Sequence, residues 1–331
     1  MIVTRSSAAA RVAAAIGLVA LVVLALGPYW AGRAEMRLMS EIFLYLALAS
    51  LWNLMAGYAG LVSVGQQAYV GFGGYMLFAL TVFGGLSPVV AIGAAAVLGA
   101  LIAVPVAALI FRLRGAYFAI GTWVIAEVFR LTFAQISALG GGSGSSLPAG
   151  IVRAMADGRD AREALSYWLA LGVAVGVIAA VYLFLRSRQG LALTAIRDNE
   201  LAAGSLGIDI WRTKLVVYVA TAALTAMVGA LIFLQKLRIS PDAAFSVNDW
   251  TAFVIFIVVI GGIGTVEGPI LGTLIFFALR ETLADLGTVY LMVLGAVAIV
   301  IMLKAPKGVW GLIRARADVE LFPLSYRVRR D

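Results

Sequence analysis

Long stretches of this chain carry no charge. Residues 86–111 contain no Asp, Glu, Lys or Arg. A helix needs about 20 apolar residues to cross the hydrocarbon core of a bilayer, and this run supplies them. Similar runs recur with short polar punctuation between them. Inside a bilayer every backbone amide must find its partner within the protein, so such runs fold as packed helices. The chain-wide balance agrees. Of 331 residues, 63% are hydrophobic and 13% charged, against about half and a quarter in soluble domains. The fold class is an all-α polytopic membrane protein. It has about ten transmembrane helices, some broken by glycine, in one transmembrane domain over residues 1–331.

In order, spans are expected at 12–27, 41–56, 57–80, 86–111, 113–133, 167–185, 215–234, 251–260, 267–280 and 289–303. Arg5 and Arg11 precede the first run. It reads as a retained helix rather than a signal peptide, because no small-x-small cleavage site stands clearly before the next span and Tyr29 and Trp30 suit an interface. Arg112 and Arg114, the loop after residue 185, and Lys304, Lys307, Arg314 and Arg316 then fall on one side. A Lys/Arg excess in short loops marks the cytoplasmic side. Both termini are thus expected inside, with residues 305–331 as a cytoplasmic tail near the headgroups. The net charge of +8 follows from this bias and from anionic lipid, without a nucleic-acid partner.

Residues 57–80 are apolar but interrupted by Gly57, Gly60, Gly65, Gly71, Gly73 and Gly74. Such glycines allow close helix packing, or unwinding where protein satisfies the backbone. Ser63, Gln66 and Gln67 lie in this stretch. Polar groups in a span face the bundle interior, so these three are candidate translocation-path residues. A second glycine-rich hairpin occupies 261–272. Interrupted spans of this kind mark binding sites in some transporters. Glu127 and Arg130, three apart on one helix face, are expected to pair structurally. The far-side loop 137–163 is rich in Gly and Ser, and its charges Arg153, Asp157, Arg159, Asp160, Arg162 and Glu163 balance. At the far end of the ninth span stand Arg280, Glu281 and Asp285. No Gly-Lys pair occurs anywhere, which excludes a phosphate-binding P-loop.

Residues 186–214 form the most structured polar interruption. Leu191 to Arg197 are expected to be helical. Asp198 is expected to N-cap a second short helix with Glu200 in its first turn, and Gly207 to end it.

The wording of this loop resembles that of permease subunits of branched-chain amino acid ABC importers, and in particular of the longer, M-type subunit. Gly190, Ala192, Ala195, Ile196, Arg197, Asp198, Asn199, Glu200, Leu206, Gly207, Ile208 and Lys214 fill that pattern. Residues 57–80, 113–133, 239–250 and 305–313 resemble the same family. The turn at Leu139, Gly140, Gly141 and Gly142 departs from its usual Thr-Gly-Gly. The resemblance implies that 186–214 is a cytoplasmic coupling loop docking on an ATPase, through Ile196, Arg197, Asp198, Asn199, Glu200, Ala203, Gly204 and Gly207. It implies a second homologous permease subunit and two ABC ATPase subunits that carry the ATP and Mg. It further implies an extracytoplasmic substrate-binding protein and a bacterial cytoplasmic membrane. This chain would bind no cofactor. The implied substrates are branched-chain or related hydrophobic amino acids, although relatives carry urea, amides or aromatic acids.

Two other classes were weighed. An ion-coupled secondary transporter wants buried acids, and most acids here sit near span ends. An intramembrane enzyme wants a nucleophile and base. The chain has no Cys, no His and no Gly-x-Ser-x-Gly, so no such set and no usual metal-ligand set is visible.

Overall fold

The computed structural model describes residues 2–4, 8–156, 158–283, 289–317, 321–323 and 327–329. Arg5, Asp157 and Asp285 lie outside the described residues.

The described chain is helical almost throughout. It opens with α1 (Ala8–Ala25), α2 (Gly27–Trp30) and α3 (Arg33–Asn53), and continues with α4 (Gln66–Val82), α5 (Pro88–Ile110) and α6 (Ala116–Ala134). After α7 (Ala149–Arg153) and α8 (Arg159–Leu185) come the loop helices α9 (Arg188–Asp198) and α10 (Glu200–Ser205). The last part holds α11 (Ile210–Lys236), α12 (Pro241–Ala244), α13 (Phe253–Gly261), α14 (Glu267–Thr282), α15 (Val289–Lys304) and α16 (Gly308–Ala317). Two short antiparallel pairs complete it. β1 (Ile2–Thr4) meets β4 (Arg327–Arg329), which sets the two chain ends side by side, and β2 (Ser145–Ser146) meets β3 (Arg238–Ile239).

Local signals explain many boundaries. Pro88 opens α5 behind an extended Ser87; its missing N–H costs nothing in a first turn. Asp209 caps α11 by accepting the Arg212 N–H at 3.0 Å. Long apolar helices do the rest.

Among the described residues, seven helical segments are long and apolar enough to cross a membrane. Of the ten expected spans, those at 12–27, 57–80 and 267–280 fall outside this set. α1 (Ala8–Ala25) covers most of the first expected span. In the region 57–80, residues 54–58 form a π-helical turn, the chain runs without helix from Gly60 to Gly65, and α4 has 17 residues left. α14 covers the expected ninth span, starting at Glu267 after the turn at 262–266, with 16 residues. Elsewhere helices outrun expectation. The second span begins at Arg33 and the seventh at Ile210.

The centre of the bundle is α3, α4 and α11. Trp52, Tyr75, Phe78 and Phe233 are fully buried there, with Tyr167 of α8 and Phe276 of α14. α4 and α11 cross closely. A Cβ at Gly73 would overlap the Ala226 carbonyl, and one at Gly229 the Val70 carbonyl. Small residues at membrane helix crossings permit such contact. α5, α6 and α15 are largely exposed along their apolar sides.

Candidate functional site

The polar loop between α8 and α11 is narrower than expected at its far edge, since Ile210 to Lys214 already belong to α11. Ser187 caps α9. One face of α9, made by Gly190, Leu193 and Ile196, is buried against the bundle. Gly190 is required there, because a Cβ would meet the backbone of Leu185 and Phe184.

The second cap differs from expectation. Asn199, not Asp198, caps α10, its Oδ1 accepting the Ala202 N–H at 3.0 Å. Asp198 is the last residue of α9 and pairs with Arg197 at 2.8 Å. Asparagine and aspartate are equivalent caps by type, and the extended backbone at Asn199 (φ −157°, ψ 106°) decides between them. Glu200 lies in the first turn as expected. Gly207 ends α10 with φ +82°. The N–H groups of Gly207 and Ile208 reach the carbonyls of Gly204 and Ala203 at 3.0 and 3.2 Å, the double bond pattern of a Schellman end.

The eight loop residues singled out by sequence divide into two groups. Ile196 and Ala203 are buried, at 3% and 2% exposure. Arg197 turns inward and donates from Nη1 to the Gly57 carbonyl at 2.7 Å. Asn199 is occupied as a cap, and Glu200 is tied to Lys214 at 2.9 Å. Ile196, Ala203, Arg197 and Glu200 hold the loop to the membrane bundle, and Asn199 orders it from within. Asp198, Gly204 and Gly207 are exposed. Beside them stand three leucines that the sequence reading passed over: Leu191, Leu201 and Leu206, exposed by 74%, 87% and 79%. Their signal is three leucines in a charged loop outside the apolar runs.

Ser63, Gln66 and Gln67 are all buried and cluster around the first glycine-rich break. Trp52 Nε1 donates to the Ser63 carbonyl at 2.8 Å, and Ser63 Oγ accepts the Gly65 N–H at 3.2 Å. Thr122 Oγ1 accepts the Val64 N–H at 3.0 Å. Gln66 Nε2 donates to the Leu48 carbonyl at 3.0 Å, while its buried Oε1 has no hydrogen-bond partner. Gln67 Oε1 accepts from Thr251 Oγ1, on the π-helical turn 248–252. Ser63 thus serves a stretch of backbone that helix geometry leaves unpaired, while Gln66 and Gln67 tie the start of α4 to α3 and to the turn 248–252.

The second break lies against the first. Asn53, 1% exposed, spans both. Its Nδ2 donates to the Thr265 carbonyl and its Oδ1 accepts the Gly264 N–H, each at 2.8 Å. A Cβ at Gly57 would sit 2.6 Å from the Gly264 nitrogen. Glu267, at the start of α14, accepts the N–H groups of Leu321 and Phe322 at 3.1 and 3.0 Å. Phe322 also packs edge-on against Tyr182. The described part of the tail therefore folds back onto the bundle here.

At the opposite end of α3, α8 and α11 from the polar loop is a cavity of about 460 Å³. Its floor is apolar and includes Leu44, Tyr45, Ile232 and Trp250. Its rim carries Arg37 paired with Glu163 at 2.8 Å, Glu41 paired with Arg280 at 2.7 Å, and Lys236 set 4.7 Å over the Trp250 ring. Nearby, Arg130 pairs with Glu127 at 2.6 Å, as the three-residue spacing predicts, and also with Asp242 at 2.8 Å.

A family model described as the branched-chain amino acid transport system permease component matches residues 36–303. The chain is similar to the high-affinity branched-chain amino acid transport system permease protein LivM of Escherichia coli (strain K12). The two are 28% identical, over 92% of this chain and 76% of the relative. It is similar at 26% identity to a probable branched-chain amino acid transport permease protein LivM of Methanocaldococcus jannaschii, over 72% and 78%. A probable LivH permease of the same organism is 25% identical over 42% of this chain and 46% of its own. No solved structure matches the chain.

Proposed function

The chain belongs to the branched-chain amino acid transport system permease family, and on that premise we propose that it is the M-type membrane subunit of an ATP-driven importer. In this reading it forms part of the path for branched-chain or related hydrophobic amino acids. It pairs with a second, homologous permease, and one of two ABC ATPase subunits docks on the loop at 186–209. A binding protein delivers substrate on the far side. Both termini lie in the cytoplasm of a bacterial cell. ATP and Mg are bound by the partner subunits, so this chain performs no hydrolysis.

One observation carries the reading. Leu191, Leu201 and Leu206 stand exposed on a loop whose other side is fixed to the bundle by Arg197, Glu200 and buried Ile196 and Ala203. A rigidly held polar loop presenting leucines outward is the form of a docking surface, since exposed apolar groups gain free energy when a partner covers them. The similarity to LivM relatives over most of the chain supports the substrate class, and the LivH likeness supports a related second permease.

The test is purification of the tagged chain in mild detergent from its native host, beside a Leu201→Glu, Leu206→Glu variant. The reading expects a second permease and ATPase subunits with the unaltered chain, and loss of the ATPases from the variant. An unaltered chain that elutes without any ATPase would reject it.

A further inference from the structure

The polar loop is bonded to the backbone of the first glycine-rich break, and α3 ties the second break to that same point. In an α-helix the Gly57 carbonyl would be served by the Leu61 N–H, but that N–H turns back to the Met55 carbonyl at 2.9 Å. Carbonyls in a last turn need another donor. Arg197 Nη1, from the end of α9, supplies it at 2.7 Å, while Nε and Nη2 hold Asp198 at 3.0 and 2.8 Å. One turn earlier on α3, Asn53 uses both amide atoms to clip the backbone of Gly264 and Thr265. The two breaks touch, and Gly57 has no room for a side chain against Gly264. Gly60 and Gly264 hold their turns at φ +68° and +77°, where other residues are strained.

From this we infer that Arg197 and Asn53 form a transmission joint: when the polar loop is displaced, Arg197 pulls the π-helical turn 54–58, and Asn53 carries the 262–266 turn with it. The inference rests on the importer reading above and assigns these two side chains as positioning residues. Directional hydrogen bonds to backbone transmit displacement that loose side-chain packing would absorb. The π-helical turn supplies the movable element. A π turn inside an α-helix holds its hydrogen bonds one residue out of register, so shifting to i→i+4 pairing would rotate and advance Tyr58 to Leu61 together. Ser63 and Gln66 follow directly in the chain. A push on the ATPase side would thereby reach the buried polar cluster around α4 without any substrate contact by Arg197.

The chain contains no cysteine, which permits a single reporter. Val62, 46% exposed beside the first break, is replaced as Val62→Cys in the complete importer. Its maleimide labelling rate is followed with and without a non-hydrolysable ATP analogue, together with ATP hydrolysis and uptake. In the Arg197→Gln and Asn53→Ala variants we expect ATPase subunits to stay bound and hydrolysis to continue. Transport per ATP should fall about tenfold or more, as loss of a charge-assisted or buried hydrogen bond implies, and labelling should no longer respond to nucleotide. Arg197→Lys, which keeps a donor, should be intermediate. Labelling that still responds in both Gln and Ala variants would overturn the joint. An Arg197→Gln complex that sheds its ATPases while Asn53→Ala stays coupled would make Arg197 a docking residue, which also overturns the joint but leaves the importer reading standing. If Arg197→Gln does not assemble, Asn53→Ala decides alone, since that side chain is buried away from the docking surface: normal coupling overturns the joint and lost coupling upholds it. An unaltered chain that binds no ATPase would instead overturn the importer reading, and the joint with it.

Discussion

Arg197 and Gly57 stand 140 residues apart in the chain and are joined by one hydrogen bond of 2.7 Å, guanidinium to carbonyl. The bond links the polar loop to the first discontinuity in the membrane bundle. It gives the loop two faces, one fixed to the bundle and one turned outward.

The outward face should carry partner affinity. Burying one leucine is worth about 1.5–3 kcal/mol. Leu201→Ala or Leu206→Ala should therefore weaken ATPase binding by about tenfold to a hundredfold. Thermal stability of the permease itself should change little, because both side chains are exposed. Titration of purified ATPase onto the nanodisc-embedded permease pair measures this. Unchanged affinity in the double variant would place the docking surface elsewhere.

The loop itself was largely legible in the sequence. Helix, cap and glycine stop lay in the string around residues 191–207 with only the cap misplaced by one residue, because aspartate and asparagine cap alike and backbone geometry at Asn199 chooses. What could not be read was direction. Arg197 looks like one more basic loop residue until the fold brings Gly57 beneath it, and Glu200 looks like a docking acid until α11 begins early enough to bring Lys214 to it. The expected third span was shortened for a related reason. Apolar composition sees the glycine-broken chain at 60–65 as membrane helix, whereas its backbone is paired by Ser63, Thr122 and Trp52 instead; the break at 262–266, read as a hairpin from its glycines, is paired by Asn53. The polar residues Ser63, Gln66 and Gln67 were visible as buried candidates; that Gln66 and Gln67 tie α4 to Leu48 and Thr251 depends on partners far away in sequence.

Gly204 and Glu200 separate the two faces experimentally. Gly204 is exposed on α10, and a Cβ there would lie 3.3 Å from Ile210 Cδ1. Gly204→Leu should leave the chain folded and inserted while reducing transport through the altered docking surface. Glu200→Gln loses a half-exposed ion pair with Lys214, worth about 0.2–1 kcal/mol. Its melting temperature should drop slightly and its ATPase affinity only modestly. Paired melting and uptake assays check both, and normal uptake by Gly204→Leu would remove Gly204 from the docking surface.

The α4–α11 crossing should be intolerant of added volume. Gly73→Val drives a branched side chain into the Ala226 carbonyl, and overpacking of this sort costs about 1–3 kcal/mol. A clear loss of melting temperature in detergent is expected. Gly172→Val, where a Cβ meets nothing within 4 Å, should melt nearly as the unaltered chain does.

Sidedness follows from the basic loops. In intact cells Leu201→Cys should resist a membrane-impermeant maleimide until the membrane is opened. Ser143→Cys, exposed in the far loop, should react at once. The reverse pattern would invert the orientation.

Uptake by the reconstituted assembly tests the central claim most directly. Proteoliposomes containing this chain, its partner permease and the ATPases, with binding protein and radiolabelled leucine outside, are compared with and without internal ATP. The account predicts uptake that requires ATP and is lost in the Leu201→Glu, Leu206→Glu variant. Uptake by this chain alone, driven by an ion gradient and indifferent to ATP, would contradict it.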